Sequence, residues 1–519
     1  MHMDILVRDV SIIDGSGAPA YVGSIGIERG KQIVFEHDPE AAADVEIDGR
    51  GLTALPGFVD AHSHGDLNMV SPYATLSKIS QGITTQVAGQ CGVSMFPAAV
   101  ENVQKFVSGI APYPDMPEDL LACTSYGTFS DWMASLHNPV TTKCFTGLGA
   151  LRLWAMGYAN RRPDSTELQR MQNMLRRCIR EGALGLSTGL VYAPCCYADN
   201  DEILALLRVV HEEGAIYATH PRNEADTVVE ARKESIRLAK IAKVPLCISH
   251  LKAAGRQNWG KPAIMLRQAD EAANDGVDIL IDCYPYMAGN TSLNVSIPPR
   301  YFEDGLTGLV RALSYKSERE KIREEMSRPS NYENYIRNSG GFTGTYVSAC
   351  PKFHDAEGMF ISDYAEKVGM DPFDAYCEIL IQNDGLGLGV YFHMSEEDVV
   401  SIFRHPLTVV GTDALLGRET ENPHPRSFGS MPRAYHLLTD ENKICSPEQA
   451  IRKMSGLAAE KLHLTGKGFL RTGYDGDVLL CDLASFRDTA TYQRGNGLTQ
   501  GLNTVIANGK IVYSEGKLL

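Results

Sequence analysis

The stretch Leu55-Pro56-Gly57-Phe58-Val59-Asp60-Ala61-His62-Ser63-His64 decides how this chain is read. A short apolar run, Phe58-Val59, leads into two histidines one residue apart. At the end of a β-strand, positions i and i+2 point to the same side. His62 and His64 can therefore present two imidazoles to one metal ion from a rigid edge. Two surface histidines would show the same spacing, so the pair gains its meaning from the rest of the chain.

Further candidate ligands come at the ends of later strand-like runs. Residues 83–88 are β-branched and lead into Gly89-Gln90-Cys91-Gly92. Residues 144–148 read as another strand. Residues 166–181 have helical spacing, stopped by Gly182, and 183–188 read as the next strand. A helix over 202–213, with Gly214 as its C-cap, precedes a strand over 215–219 that ends at His220. A helix over 225–242 precedes a strand over 245–249 that ends at His250. A helix over 263–275 precedes 277–282, and 407–410 ends at Gly411-Thr412-Asp413.

This strand–helix alternation over roughly 350 residues is what a parallel α/β architecture requires. About eight strands can be counted, which predicts a TIM-like (β/α)8 barrel over 55–465. Residues 295–345 break the rhythm with a charged stretch at 316–325. They predict a helical lid insertion, about 290–345, over the barrel mouth. Residues 1–54 and 466–519 read as short strands between turns such as Asp14-Gly15-Ser16-Gly17 and Asn508-Gly509. Together they predict one small β-sandwich built from both chain ends.

The composition narrows the class of protein. Hydrophobic residues at 44% and charged residues at 22% are those of an ordinary globular chain. A net charge of −15 argues against nucleic acid or an anionic membrane as partner. No run of 18 apolar residues exists, so no membrane span is expected. Met1-His2-Met3-Asp4 lacks the basic and apolar regions of a signal peptide, and the 12 cysteines follow no framework spacing. They read as reduced thiols of a cytoplasmic enzyme.

His62, His64, Cys91, His220, His250 and Asp413 all fall at strand ends, and barrel active sites lie at that face. Imidazole, thiolate and carboxylate are the ligand types zinc accepts, and a thiolate favours zinc over manganese or magnesium. Six ligands exceed one tetrahedral ion, so they suit two ions with Cys91 as a bridge.

The metal set resembles that of the amidohydrolase superfamily. Within it, Gly89-Gln90-Cys91-Gly92-Val93-Ser94, Ser187-Thr188-Gly189-Leu190-Val191-Tyr192-Ala193-Pro194 and His220-Pro221-Arg222-Asn223-Glu224 resemble the D-aminoacylase (N-acyl-D-amino-acid deacylase) family. Ser249-His250-Leu251-Lys252, the 282–289 stretch, His424-Pro425-Arg426 and Arg452-Lys453-Met454-Ser455 continue the likeness over nearly the whole chain. The resemblance implies hydrolysis of an N-acyl-D-amino acid to a carboxylate and a free D-amino acid. It implies one firmly held zinc at Cys91, His220 and His250, and a weaker second site at His62, His64 and Asp413. Asp413 would be the general base and then the acid. Lys252, Tyr284 and Tyr192 would bind the small-molecule substrate's carboxylate, with Asn290 where many relatives carry a serine contact. Pro194-Cys195-Cys196 also departs from the family pattern, in the substrate region.

Other readings stay open at this stage. Gly185-Leu186-Ser187-Thr188-Gly189 matches the Gly-x-Ser-x-Gly nucleophile pattern, although Pro194 disfavours the helix that such an elbow needs. A cyclic-amide hydrolase of the hydantoinase type or another deacetylase would use the same barrel, but the former would expect a lysine bridge. A metal-binding barrel without catalysis is the remaining alternative.

Overall fold

The computed structural model describes residues 2–36, 40–67, 71–97, 127–135, 138–328, 332–416, 419 and 422–519. Its central strands are β1 (Phe58–Asp60), β2 (Ile83–Ala88), β3 (Thr141–Cys144, resumed at Thr146–Gly147) and β4 (Gly185–Gly189). They continue as β5 (Ile216–His220), β6 (Leu246–Ile248), β7 (Ile279–Cys283) and β8 (Thr408–Val410). Every pairing is parallel: β1 with β2 with β3, and the resumed part of β3 with β4 and on through β8. Beyond the strand ends β1 meets β8, where Ala61 N donates to Val410 O at 3.2 Å and Asp413 N to His62 O at 2.8 Å.

Alternation along these strands sorts the side chains. Val59, Val87, Ile216, Ala218, Leu280 and Val409 cluster on one side. Leu186, Tyr217, Ile248, Ile281 and Val410 pack into the larger core with the helices. A strand buried on both faces favours apolar residues on both, as in Leu246-Cys247-Ile248, while β2 and β4 also bury Thr84, Gln86, Ser187 and Thr188.

The helices follow the sequence closely. Those at Ser165–Arg180, Asn200–Glu212 and Pro262–Asn274 lie within one or two residues of expectation. Asp164 caps the first in a capping box with Glu167, and Asp199 caps the second. The helix expected from 225 begins at Val228 instead. Asn223 Oδ1 accepts from the backbone N–H of Ala225 and Thr227, which holds that segment as a turn.

A buried ion pair ties two of these helical layers together. Glu202 accepts from Arg152 Nη1 with both oxygens, at 2.7 and 2.6 Å, and both side chains are buried. Glu202→Ala leaves a guanidinium buried without its counter-charge. Urea unfolding should show a loss of about 3–5 kcal/mol. A loss under about 1 kcal/mol would mean that the pair is structurally dispensable.

The insertion between β7 and β8 is larger than expected and is not purely helical. It opens with the strand Ala288–Ser292 and closes with Leu388–Phe392, which pairs antiparallel with both Ala288–Ser292 and Thr345–Ala349. Helices Gly305–Ser314, Lys316–Ser327, Ile361–Val368 and Pro372–Gln382 complete it around their own core of Leu293, Leu309, Ile322, Tyr376 and Leu380. Residues 329–331 of the expected lid lie outside the described residues. The sheet was illegible because it pairs strands separated by long helical stretches, and no local pattern announces such a pairing.

Both chain ends meet, as expected. Thr53–Pro56 pairs antiparallel with Val478–Cys481, joining the N-terminal strands to those at Leu502–Ala507, Lys510–Ser514 and Lys517–Leu518. Hydrogen bonding runs continuously through nine strands, where a sandwich of two sheets was expected. The long strand His2–Ile12 pairs parallel with Ala42–Asp48 along its first part and with Thr53–Pro56 at its end. Its register against Tyr21–Glu28 shifts between Val7 and Val10, the kind of irregularity that bends a sheet. Ile5, Val7, Ile27, Val478, Leu480 and Ile506 then pack into one core. Among the described residues no helix is long and apolar enough to cross a membrane.

Candidate metal centre

Asp60, the last residue of β1, draws the first and last strand ends together. Its Oδ1 accepts from Thr412 N at 2.8 Å and from His62 N at 3.3 Å, while Oδ2 accepts from Thr412 Oγ1 and Lys78 Nζ, both at 2.7 Å. His62 and Asp413 therefore sit side by side although about 350 residues separate them. Cys91, His250 and Asp413 all have left-handed backbone, with φ of 53°, 31° and 50°. Non-glycine residues seldom hold this conformation, and its recurrence at functional sites is common.

The Cys91 loop is set by Ser187. Its Oγ donates to Gly89 O at 2.5 Å and accepts from Gly92 N at 3.1 Å. The Gly-x-Ser-x-Gly pattern is thus a loop support within β4, with its hydroxyl bonded on both sides, and no nucleophile elbow forms. Gly189 is required for close approach: a Cβ there would lie 1.9 Å from Cys91 O. Cys195 and Cys196 are free thiols. Burial pushes both up to about 12, and Cys195 packs in the core.

The six expected ligands converge. His62, His64, Cys91 and Asp413 form one group and Cys91, His220 and His250 a second, with ligand atoms in each group within 4.8 Å of one another. Cys91 Sγ stands 3.3 Å from Nε2 of both His62 and His250. Asp413 Oδ1 is 3.2 Å from His64 Nε2 and 3.5 Å from His62 Nε2. Burial opposes ionisation of Cys91, but the neighbouring His62 and His250 charges and hydrogen bonds from His220 and His250 hold its thiol well below the usual range. Burial likewise opposes Asp413, yet Arg426 and the histidines keep it an anion.

Three further residues, which sequence reasoning did not single out, orient this set. Asp282 Oδ1 lies 3.1 Å from His62 Nδ1 and also accepts from His250 N at 2.8 Å. Glu224 Oε1 lies 3.0 Å from His250 Nδ1. A carboxylate on Nδ1–H leaves the Nε2 lone pair free for a metal, the usual supporting arrangement of a ligating histidine. Arg426 Nη1 donates to Asp413 Oδ2 at 2.9 Å and Nη2 to Asn290 O at 2.9 Å. Buried His220 Nδ1 and His64 Nδ1 have no hydrogen-bond partner among the described residues. The donor types and their convergence fit zinc.

The comparisons with known proteins agree with this geometry. The model of the Amidohydrolase family matches residues 45–210. D-aminoacylase of Alcaligenes xylosoxydans xylosoxydans is 31% identical over 519 residues, 99% of this chain and 95% of that protein. The chain belongs to the D-aminoacylase family of amidohydrolases. N-acyl-D-aspartate deacylase of the same organism is 30% identical, covering 98% of this chain and 92% of its own. The crystal structure of N-acyl-D-glutamate deacylase from Bordetella bronchiseptica, complexed with zinc and a phosphonate mimic of the tetrahedral intermediate, superposes with a TM-score of 0.82. It is 28% identical and covers 99% of this chain and 97% of that one. The α/β fold is thus that of the D-aminoacylase structures.

In this family member, the expected substrate contacts all line one cavity together with His64, Cys91, His220, His250 and Asp413. Several are already engaged. Lys252 Nζ is bonded to Glu224 at 2.8 and 2.9 Å and lies 2.8 Å from His250 Nδ1. Tyr192 OH shares a hydrogen bond with Thr291 Oγ1 at 3.1 Å. Asn290 Nδ2 donates to Gly389 O at 3.0 Å, tying it to the insertion's sheet. Tyr284 OH alone of the four is buried without a partner among the described residues. Tyr335 and His393 from the insertion also line the cavity.

Glu224→Gln keeps the shape of the His250–Lys252 cradle but removes its charge. Zinc affinity, read by competition with a chromogenic chelator, should fall about 10- to 100-fold. Unchanged affinity would show that Glu224 does not support the ligand.

Proposed function

We propose that the chain is a zinc-dependent N-acyl-D-amino-acid deacylase, cleaving a linear amide to a carboxylate and a free D-amino acid. The observation that carries this is Cys91, a thiolate shared between two histidine-containing ligand groups on a chain similar over its full length to deacylases. We read 55–465 as a (β/α)8 barrel whose insertion roofs the site, and 1–54 with 466–519 as a small β-domain. The parallel order β1 to β8, with β8 hydrogen-bonded back beside β1, supports the barrel. A cytoplasmic setting accords with the free thiols of the described cysteines.

In this reading Cys91, His220 and His250 would hold one zinc firmly, and His62, His64 and Asp413 would offer a weaker second position. Bound zinc polarises an amide carbonyl and lowers the pKa of bound water. Asp413 Oδ1, facing the cluster while Oδ2 is held by Arg426, takes the proton from water and delivers it to the leaving amine nitrogen. Arg426 thereby keeps the carboxylate anionic and aimed. Lys252, Tyr284 and Tyr192 stand around the cavity where the substrate's carboxylate enters, and Asn290 anchors the strand behind it. A cyclic-amide hydrolase would carry a lysine at the shared position, where this chain has Cys91.

The test is a panel of N-acetyl-D- and N-acetyl-L-amino acids given to the zinc-loaded enzyme. Release of D-amino acids that stops with chelator and returns with zinc is the expected result. Cleavage of hydantoins with silence on the linear panel would replace this function with the cyclic one.

A further inference from the structure

A buried histidine outside the ligand set grips the residue that aims Asp413. Arg426 is the first residue of the helix Arg426–His436, whose N-cap, Pro425, offers no side-chain acceptor. Its backbone N–H is taken instead by His424 Nδ1 at 3.0 Å. A helix leaves its first N–H groups without internal partners, so this bond fixes where the helix starts and from where the Arg426 side chain departs. On the other side of the ring, His424 Nε2 lies 3.0 Å from Ala288 O.

These two contacts define the protonation of the ring. A backbone N–H only donates and a backbone carbonyl only accepts, so Nδ1 must be bare and Nε2 must carry the hydrogen. The imidazole is therefore neutral and in one tautomer. Burial, with the Arg426 charge beside it, holds His424 well below its usual range and keeps it so. Its ring packs 5.5 Å from that of Tyr286 and 5.2 Å from that of Tyr492, centre to centre.

Ala288 opens the insertion strand Ala288–Ser292, and two residues along it Asn290 O accepts from Arg426 Nη2 at 2.9 Å. One strand thus locates Arg426 twice, its backbone through His424 and its guanidinium directly. The other arm of the fork, Nη1, reaches Asp413 Oδ2 at 2.9 Å. We propose that His424 is a positioning residue for the deacylation: its Nδ1 holds the Arg426 backbone so that the guanidinium meets Asp413, and the bond from Nε2 to Ala288 O fixes the tautomer that makes Nδ1 an acceptor. This rests on the deacylase reading, in which Asp413 moves the proton, and extends it to a side chain outside the cavity wall.

Two substitutions divide the ring between them. His424→Asn places an acceptor where Nδ1 stands, two residues before the N–H it must bind, which is the spacing of an Asx turn. His424→Gln reaches toward Ala288 O and loses that acceptor. Each is measured alone and combined with Asp413→Asn on N-acetyl-D-amino acids, with zinc content and melting temperature alongside. His424→Gln should lower kcat about 10- to 100-fold with KM changed less than about threefold, and His424→Asn should restore most of that loss. In the Asp413→Asn background the glutamine should cost no more than about twofold, because no carboxylate remains to be aimed. A purely structural histidine would instead subtract the same factor from kcat in both backgrounds. That result, an unchanged kcat in His424→Gln, a loss confined to KM, or an asparagine variant as slow as the glutamine one overturns the assignment and leaves the deacylase function standing. If His424→Gln fails to fold, His424→Phe, which keeps a ring but neither nitrogen, is read in its place by the same outcomes. A zinc-loaded wild type inert toward every N-acetyl-D-amino acid overturns the deacylase reading and this assignment with it.

Discussion

Cys91→Ala is expected to remove zinc and activity together, with kcat/KM falling by at least about 10³-fold, on the order of 4 kcal/mol. Cys91 is the one residue common to both ligand groups, and its Sγ stands equally close to His62 and His250. Burial works against a thiolate here, and the surrounding imidazoles overcome it. Alanine removes that negative charge and leaves the histidines facing one another. The backbone does not confuse the test, because φ of 53° is as uncommon for alanine as for cysteine. Cys91→Ser should fare scarcely better, since a hydroxyl does not ionise at neutral pH as a thiol can. Metal analysis and initial rates on the same preparation check this. A Cys91→Ala enzyme that keeps its zinc and its rate would end the metal-centre reading.

Asp413→Asn is expected to separate chemistry from metal binding. kcat should fall about 10²- to 10⁴-fold, the usual contribution of a positioned general base, while one zinc per chain stays with Cys91, His220 and His250. Asparagine fits the same space, but it cannot satisfy both sides. With its oxygen toward Arg426 it turns an NH2 toward His64, and no lone pair remains to take a proton. Arg426, fully buried, also loses its counter-charge, so the melting temperature should drop. Rates with zinc content measured in parallel decide the matter. Activity surviving the substitution would transfer the proton step to another group.

These two residues were legible for different reasons. Cys91 lies in a glycine-flanked loop after a β-branched run, and Asp413 closes a short apolar one, so strand-end position marked both. The supporting shell was not marked in this way. Asp282 closes the expected run 277–282, where an acid reads equally as a cap, and only its contact with His62, across 220 positions of sequence, gives it a role. Glu224 and Arg426 sit inside motifs that carried the family likeness, yet their partners, His250 and Asp413, come from other elements. His393 had no signal at all, because it follows a strand whose pairing is non-local.

Periodicity and strand-end chemistry marked, from the sequence alone, the alternating α/β core, the chain ends that pair with each other and the six side chains that the structure brings together. These are consequences of local physics: which residues extend or coil, and which side a strand end presents. Tertiary structure alone decided that the insertion builds its own antiparallel sheet, that Asn290 and Lys252 are hydrogen-bonded to Gly389 and Glu224, and that Ser187 supports a loop. Each of these depends on which distant atom completes a hydrogen bond. A buried polar group takes the partner that the fold brings within about 3 Å, and residue spacing along the chain does not specify that partner.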